Sequence, residues 1–109
     1  MKTADDQKLS QIISFLKAEY KPIRLFLYGS RAHETHHSES DYDFVMVLSA
    51  FESKDRYQMM SAISSKLWKD LNVEVQVWAY SENDFLDWMD EFSSIPETAL
   101  NTGREIELG

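Results

Sequence analysis

The chain has 109 residues, a formal net charge of −8 and no cysteine, with 43% hydrophobic and 13% aromatic residues. This length suits one domain with a real hydrophobic core, so a single domain is predicted over residues 1–109, and the missing cysteines exclude disulfides and Cys-ligated zinc. The negative charge disfavours nucleic-acid binding, because such proteins usually present a basic surface to backbone phosphates, and suits divalent metals or a basic protein partner.

The first half of the chain alternates helical and extended patterns. Residues 6–20 place Leu9, Ile12 and Leu16 on one helical face, and Pro22 ends this helix. Residues 23–28 alternate as a strand with both faces partly covered, and the apolar run 44–48 is typical of a strand buried on both faces. A short helix after Ser30 and a polar loop over 36–40 are expected between them.

The second half continues the alternation. A helix is predicted over 53–71, ending near Asn72, and a third strand over 73–78. Ser81 reads as the N-cap of a further helix that carries Phe85, Trp88, Met89 and Phe92. A short helix over 96–101 and a small strand or docked tail over 104–108 follow. Neither the N-terminal residues nor any later run is apolar enough to target or span a membrane, so a cytoplasmic soluble protein is expected.

Two carboxylates stand one residue apart at the start of the second strand, in the run Asp41-Tyr42-Asp43. Side chains alternate along a strand, so both acids point to the same side, with Cα atoms about 6.5 Å apart. Two acids so placed can jointly hold hard divalent cations, as in sites where two metals assist phosphoryl transfer. Tyr42 points the other way and is interpreted as structural.

A small-residue turn, Gly29-Ser30, follows the first strand directly, and Arg31 comes next. Glycine lets a backbone approach a phosphate closely, while serine adds a hydroxyl and an N–H group. An ordinary helix-capping turn is the alternative, and it is compatible with phosphate binding. Arg31 could clamp a phosphate or pair with a nearby acid. The Walker pattern of P-loop proteins is absent.

The chain here resembles a known family. Gly29-Ser30, ten intervening residues and Asp41-x-Asp43 match the signature of the DNA polymerase beta nucleotidyltransferase superfamily. The short length is similar to that of its minimal nucleotidyltransferases, often encoded beside a HEPN-type helical partner as antitoxin and toxin. The resemblance implies an α/β (α+β) fold with a mixed β-sheet flanked by helices. It also implies two Mg²⁺ ions as cofactors, ATP or another NTP as substrate, and phosphate binding by Gly29, Ser30 and Arg31.

In this family an acid on the neighbouring strand completes the metal site. Val73-Glu74-Val75-Gln76 stands where relatives show Val-Asp, so Glu74 is the candidate third catalytic and metal-binding acid beside Asp41 and Asp43. It departs from Asp by one methylene, and a misplacement on that scale can cost about 10²-fold in rate. The alternatives are that Gln76 takes the inner position or that Glu74 faces solvent.

These assignments also predict the topology. Ser30 follows strand one while Asp41 and Asp43 open strand two, so they can meet only if those strands are antiparallel. Glu74 joins the same edge if strand three runs parallel to strand two. A mixed sheet follows, with helices covering it.

Two other groups of residues invite a functional interpretation. The imidazoles of His33, His36 and His37 are more simply solvated loop residues than a zinc site, and Glu34 stands where relatives often have Gly. Five aromatic residues are interpreted as core or core-edge, with a partner-docking patch as the alternative: Trp68, Trp78, Phe85, Trp88 and Phe92.

Two functions remain open on the sequence. The first is Mg²⁺-dependent transfer of a nucleoside monophosphate, AMP from ATP by preference, to an acceptor hydroxyl, which the resemblance implies to lie on a HEPN-type toxin. The second is a non-catalytic nucleotide-binding module that neutralises its partner by contact alone. Both imply a protein partner, and the sequence leaves homo- and hetero-oligomers open.

Overall fold

The computed structural model describes residues 4–28, 42–49 and 51–108. Within them lie four α-helices: α1 (Ala4–Tyr20), α2 (Arg56–Leu71), α3 (Glu82–Trp88) and α4 (Ile95–Thr102). The same ranges hold four strands: β1 (Arg24–Tyr28), β2 (Tyr42–Leu48), β3 (Val75–Ser81) and β4 (Arg104–Glu105). A 3₁₀ turn at Ser53–Asp55 leads into α2. Across these ranges, no helix has both the length and the apolar character needed to cross a membrane.

The strands form one mixed sheet in the order β3-β2-β1-β4. β1 runs antiparallel to β2 and to β4, whereas β2 and β3 are parallel. Both pairings required by the sequence argument are therefore confirmed, and so is the α+β class with a mixed, helix-flanked sheet. β2 occupies an interior position, which explains its run of buried apolar residues.

One face of the sheet is covered by α1 and α2. Alternating strand residues such as Leu25, Phe44 and Val77 are fully buried against Ile12 of α1 and Ile63 of α2. The inward face predicted for the first helix is thus confirmed, since Ile12 and Leu16 are fully buried and Leu9 packs against the same cluster. Asn72 ends α2 in the left-handed conformation, with φ 54° and ψ 43°, and its N–H bonds to the Trp68 carbonyl.

The opposite face is covered over part of its length by α3 and α4. Phe85 of α3 stacks on Phe26 of β1 with ring centroids 5.6 Å apart and planes within 13°. Val45 and Ala99 belong to the same cluster and are fully buried. The two faces together give the sheet a core on each side.

Serine caps begin the last two helices. The Ser81 hydroxyl accepts the N–H of Asp84 at 3.1 Å, as the sequence predicts, and the Ser94 hydroxyl accepts the N–H of Glu97 at 3.2 Å. The second cap starts a new helix, so α3 ends at Trp88 instead of reaching Phe92. As a result Phe92 is 89% exposed.

The five aromatic residues interpreted as core therefore fall into a buried group and an exposed group. Phe85 is buried and Trp78 is partly buried, which fits the core interpretation. That interpretation is wrong for Trp68 and Trp88, which are 59% and 50% exposed, and for Phe92. Helical spacing placed Trp88 and Phe92 on the face of Phe85, but the helix ends at Trp88. Trp68 lies off the buried stripe of α2.

Gly103 allows α4 to end against β1. A Cβ atom at this position would lie 2.6 Å from the Ala99 carbonyl oxygen, 3.0 Å from the Leu27 carbonyl oxygen and 3.1 Å from the Tyr28 Cβ. We expect Gly103→Ala to lower the free energy of unfolding by about 1–3 kcal/mol, since backbone must shift to admit the methyl group. Urea denaturation measures this. Thr102→Ala, at an exposed neighbouring position, is the control and should change stability by less than about 0.5 kcal/mol.

Candidate active site

Of the predicted acid pair, Asp41 and Asp43, only Asp43 lies within the residues that the structure describes. It is the second residue of β2 and pairs in register with Tyr28 of β1 on one side and with Gln76 of β3 on the other. Directly paired residues project to the same face of a sheet, and this row lies on the face of Phe26 and Val45. The carboxylate therefore sits on an interior strand, on the face that α3 and α4 cover.

The α3 and α4 helices leave this row partly open. Phe26, Val45 and Tyr80, further along the same face, are buried beneath them. Tyr28 and Asp43 are only partly buried. The half-open end of a sheet face, with an acid on its central strand, is a place where a polar ligand can lie.

Tyr28 borders Asp43 and has a perturbed hydroxyl. Burial is the main cause that raises its pKa, and the nearby charges of Asp43 and Tyr80 raise it further. A hydrogen bond with Trp78, whose indole N–H can only donate, acts in the opposite direction. The hydroxyl consequently stays protonated at physiological pH and remains a possible donor beside the carboxylate.

This raised pKa has a consequence for stability in alkali. Above the ordinary tyrosine pKa of about 10, the unfolded chain loses the Tyr28 proton while the folded protein keeps it. The free energy of unfolding should therefore fall as pH rises from about 10. Urea denaturation between about pH 8 and 11 should show a shallower fall for Tyr28→Phe. The pKa values of Tyr20 and Tyr80 are also raised, so some slope should persist. A variant with the full wild-type slope would contradict this prediction.

Glu74 immediately precedes β3, at the same edge of the sheet as Asp43. Its backbone carbonyl accepts the N–H of Tyr42 at 3.3 Å, which sets it level with the start of β2. Its side chain is exposed, and the residue lines a shallow depression with Ser64, Ser65 and Trp68 of α2. The residue directly beside Asp43 is Gln76. The assignment of the third acid to Glu74 stays a prediction.

The remaining predicted site residues lie outside the described residues: Gly29, Ser30, Arg31 and Asp41, with Glu34 and the three histidines. The end of β1 and the start of β2 show where the chain leaves the sheet and where it re-enters it. β1 ends at Tyr28 and β2 begins at Tyr42, and the two ends are adjacent because Tyr28 pairs with Asp43. The predicted antiparallel arrangement of this edge is thus present in the strands themselves.

Two contacts of β3 were not anticipated from the sequence, one beside the site row and one towards the opposite end of the strand. Trp78 lies next to the site row and bonds to Tyr28. Arg56 of α2 donates from Nε to the Ala79 carbonyl at 2.7 Å and from its terminal nitrogen to Asp84 at 3.0 Å. Alternation within the third strand places Trp78 on the face of Gln76, so that signal was available. Nothing in the sequence pattern joins Arg56 to Asp84.

Comparison with known proteins identifies the family. No curated protein matches the chain significantly. A family model described as "Polymerase beta, Nucleotidyltransferase" matches residues 10–106, which include every strand of the sheet. That match agrees with the resemblance found in the sequence and with the mixed sheet. The chain belongs to the polymerase beta nucleotidyltransferase family.

Proposed function

We propose that this protein transfers AMP from Mg²⁺-bound ATP to a hydroxyl group of a protein partner. The observation that carries the proposal is the placement of Asp43 on the interior strand at the half-open end of the sheet, beside the point where the chain leaves β1. A carboxylate there can face a ligand held by the segment that follows Tyr28. The family membership supports nucleotidyl transfer as the reaction in which this carboxylate takes part.

The metal would be held by carboxylate oxygens, which are the ligands Mg²⁺ prefers. Asp43 fits this role because it is acidic, partly open to solvent and close to the strand edge. We assign Asp41 and Glu74 to the same metal site and Gly29, Ser30 and Arg31 to the triphosphate. When bound, Mg²⁺ neutralises the charge that develops at the α-phosphorus.

The transfer exchanges one phosphorus–oxygen bond for another. The acceptor oxygen attacks the α-phosphorus, the bond to the β-phosphate oxygen breaks, and pyrophosphate leaves. The acceptor's proton passes to a carboxylate or to solvent. We assign the carboxylate that accepts it to the group formed by Asp41, Asp43 and Glu74. The protein holds the two reactants in line, which is the main contribution available for this kind of reaction.

A HEPN-type toxin is our proposed acceptor, and modification of its hydroxyl would silence it. Partner and nucleotide would meet on the half-open face. The test is to incubate the protein with α-labelled ATP, Mg²⁺ and the protein encoded beside it, and to follow label on that neighbour. Wild type should label the neighbour, whereas Asp41→Asn combined with Asp43→Asn should not. A double variant that still labels the neighbour would overturn the proposal.

Contact-only neutralisation is the second candidate, and one observation favours it. Gln76, a neutral amide, stands directly beside Asp43, while Glu74 is exposed on the chain just before β3. A domain with a displaced third acid could bind nucleotide without efficient turnover. The double variant separates the candidates, because contact-only neutralisation would leave the partner equally silenced by wild type and variant.

The third acid can be tested on its own. We expect Glu74→Gln to lower kcat/KM for transfer about 10²-fold, since it removes a proposed metal ligand. Gln76→Ala should change it by only a few-fold. The measurement is initial-rate labelling of the partner at several ATP concentrations. A large loss in Gln76→Ala with little change in Glu74→Gln would move the inner position from Glu74 to Gln76.

A further inference from the structure

The negative charge of this protein is concentrated in one part of the chain. Residues 70–103 contain eight Asp or Glu residues and no Lys or Arg, so they account for the whole formal net charge of −8. In the rest of the chain, eleven acidic residues are balanced by eleven Lys or Arg residues. Six of these eight acids lie in α3, in the turn after it or in α4, so a partner that recognises the protein by charge is directed to the surface that these elements build.

The most exposed part of that segment is α3 and the turn after it. Six of the seven residues from 86 to 92 are exposed, and they mix large apolar side chains with acids: Leu86, Asp87, Trp88, Asp90, Glu91 and Phe92. We call these six residues the acidic rim. Half of the exposed large hydrophobic residues found in the described ranges belong to it.

The backbone of the acidic rim is anchored from both sides. Phe85, just before it, is buried against Phe26. After it, the Ser94 hydroxyl donates to the Trp88 carbonyl at 2.6 Å, and the Ser94 N–H donates to the Glu91 carbonyl at 3.0 Å. The rim therefore presents Trp88 and Phe92 from a fixed turn, which lowers the entropy cost of binding through them.

Neighbouring charges leave the acidic character of the rim intact. Arg56 is directed to Asp84 and to the Ala79 carbonyl. Glu97 accepts from the Ser93 N–H and from Asn101, at the start of α4. Asp87, Asp90 and Glu91 are exposed and stand between the apolar residues in the sequence.

We propose that the acidic rim is a docking surface for a protein segment that carries apolar side chains flanked by lysine or arginine. Exposed aromatic residues at the centre of a patch supply binding energy, and charges around them select the partner's sign. The same negative field disfavours nucleic acid, an anionic membrane and a second copy of this chain. A basic amphipathic segment is the occupant that satisfies both features.

The rim lies on the same side of the sheet as Asp43, because Phe85 packs on Phe26 and Val45, which project from that side. A partner seated on the rim would therefore stand over the face that carries the candidate active site. The docking proposal does not depend on nucleotidyl transfer and can hold whether or not the protein is active.

The test uses a designed helical peptide with leucine along one face and lysine along the others, titrated into the full chain by calorimetry. We expect wild type to bind it, and Trp88→Ser combined with Phe92→Ser to bind at least about tenfold more weakly. The matched control is Trp68→Ser, an exposed tryptophan on α2 across the sheet, which should bind as wild type does. Thermal unfolding of each variant verifies that the fold is kept.

Charge is tested separately. Asp87→Asn, Asp90→Asn and Glu91→Gln together should weaken peptide binding and reduce its dependence on salt. A peptide of the same composition with its leucines scattered, and one with glutamate in place of lysine, should both bind at least about tenfold more weakly. Equal binding by the glutamate peptide, or equal loss in Trp68→Ser, would overturn the proposal. So would self-association of the chain that disappears in the Trp88 and Phe92 variant, because the rim would then bind a second copy.

Discussion

Asp43→Asn is expected to lower kcat/KM for nucleotidyl transfer about 10²–10³-fold or more while leaving the fold unchanged. The substitution keeps the size of the side chain but removes the charge that would hold Mg²⁺ against the triphosphate. Loss of one preorganised electrostatic group at a reacting centre typically costs on this scale. Asp43 is only partly buried, so the amide is accommodated with little loss of stability. Labelling of the partner protein by α-labelled ATP gives the rate.

A chemically identical change elsewhere is the control. Asp70→Asn removes an exposed carboxylate on α2 that pairs with Lys66 at 3.2 Å, and an exposed pair of this kind contributes roughly 0.3–0.5 kcal/mol. Transfer by Asp70→Asn should match wild type. Equal activity of Asp43→Asn and Asp70→Asn would remove Asp43 from the reacting centre and, with it, the geometric basis of the proposed function.

Ligand binding offers a second readout for the same variant. Mg²⁺-ATP should raise the unfolding temperature of wild type, because a ligand that binds only the folded state stabilises it. Asp43→Asn should show a smaller rise at the same ATP and Mg²⁺ concentrations. This readout does not require turnover, so it distinguishes loss of the metal site from loss of the acceptor.

The sheet topology could be predicted because the chemistry required it. Ser30 follows one strand and Asp43 begins the next, so a common site demands antiparallel strands, and the pairing of Tyr28 with Asp43 has that form. The parallel pairing of β2 with β3 followed from the same reasoning applied to Glu74. Hydrophobic periodicity predicted where the helices and strands lie, and the need to bring the motif residues together predicted the relative directions of the strands.

The third acid could not be fixed in the same way. Glu74 and Gln76 are two residues apart, so alternation treats them alike, and only the register between strands distinguishes them. That register depends on the end of α2. Asn72 turns the chain in the left-handed conformation, and β3 begins at Val75, two residues later than the pattern of valines indicates. Gln76 is thereby the direct neighbour of Asp43.

The end of α3 was mispredicted for a local reason. Phe85, Trp88, Met89 and Phe92 have helical spacing, and the pattern alone extends one helix through all of them. Ser94 instead caps a new helix and bonds back to the Trp88 carbonyl, which closes a turn. Capping by Ser94 starts a separate helix, although the hydrophobic spacing would continue α3. Phe92 is therefore left exposed.

Phe85→Ala should have the largest effect on stability, lowering the free energy of unfolding by about 3–5 kcal/mol. Phe85 is 1% exposed and stacks on Phe26, so its removal leaves a cavity between α3 and the sheet. The Arg24 guanidinium also lies 4.9 Å from the Phe26 ring centroid and 5.5 Å from that of Phe85, and it pairs with Glu105 of β4. Loss of Phe85 therefore weakens the attachment of α3 and one contact that Arg24 makes.

The matched control for this prediction is Phe92→Ala, the same substitution at a residue that is 89% exposed. It removes little buried surface and should change stability by less than about 0.5 kcal/mol. Urea denaturation at neutral pH measures both variants against wild type. Since whole domains are stable by only about 5–15 kcal/mol, Phe85→Ala should bring the protein close to unfolding at moderate temperature. Similar losses for the two variants would mean that α3 is not anchored by Phe85, and the fixed turn that presents Trp88 and Phe92 would lose its support.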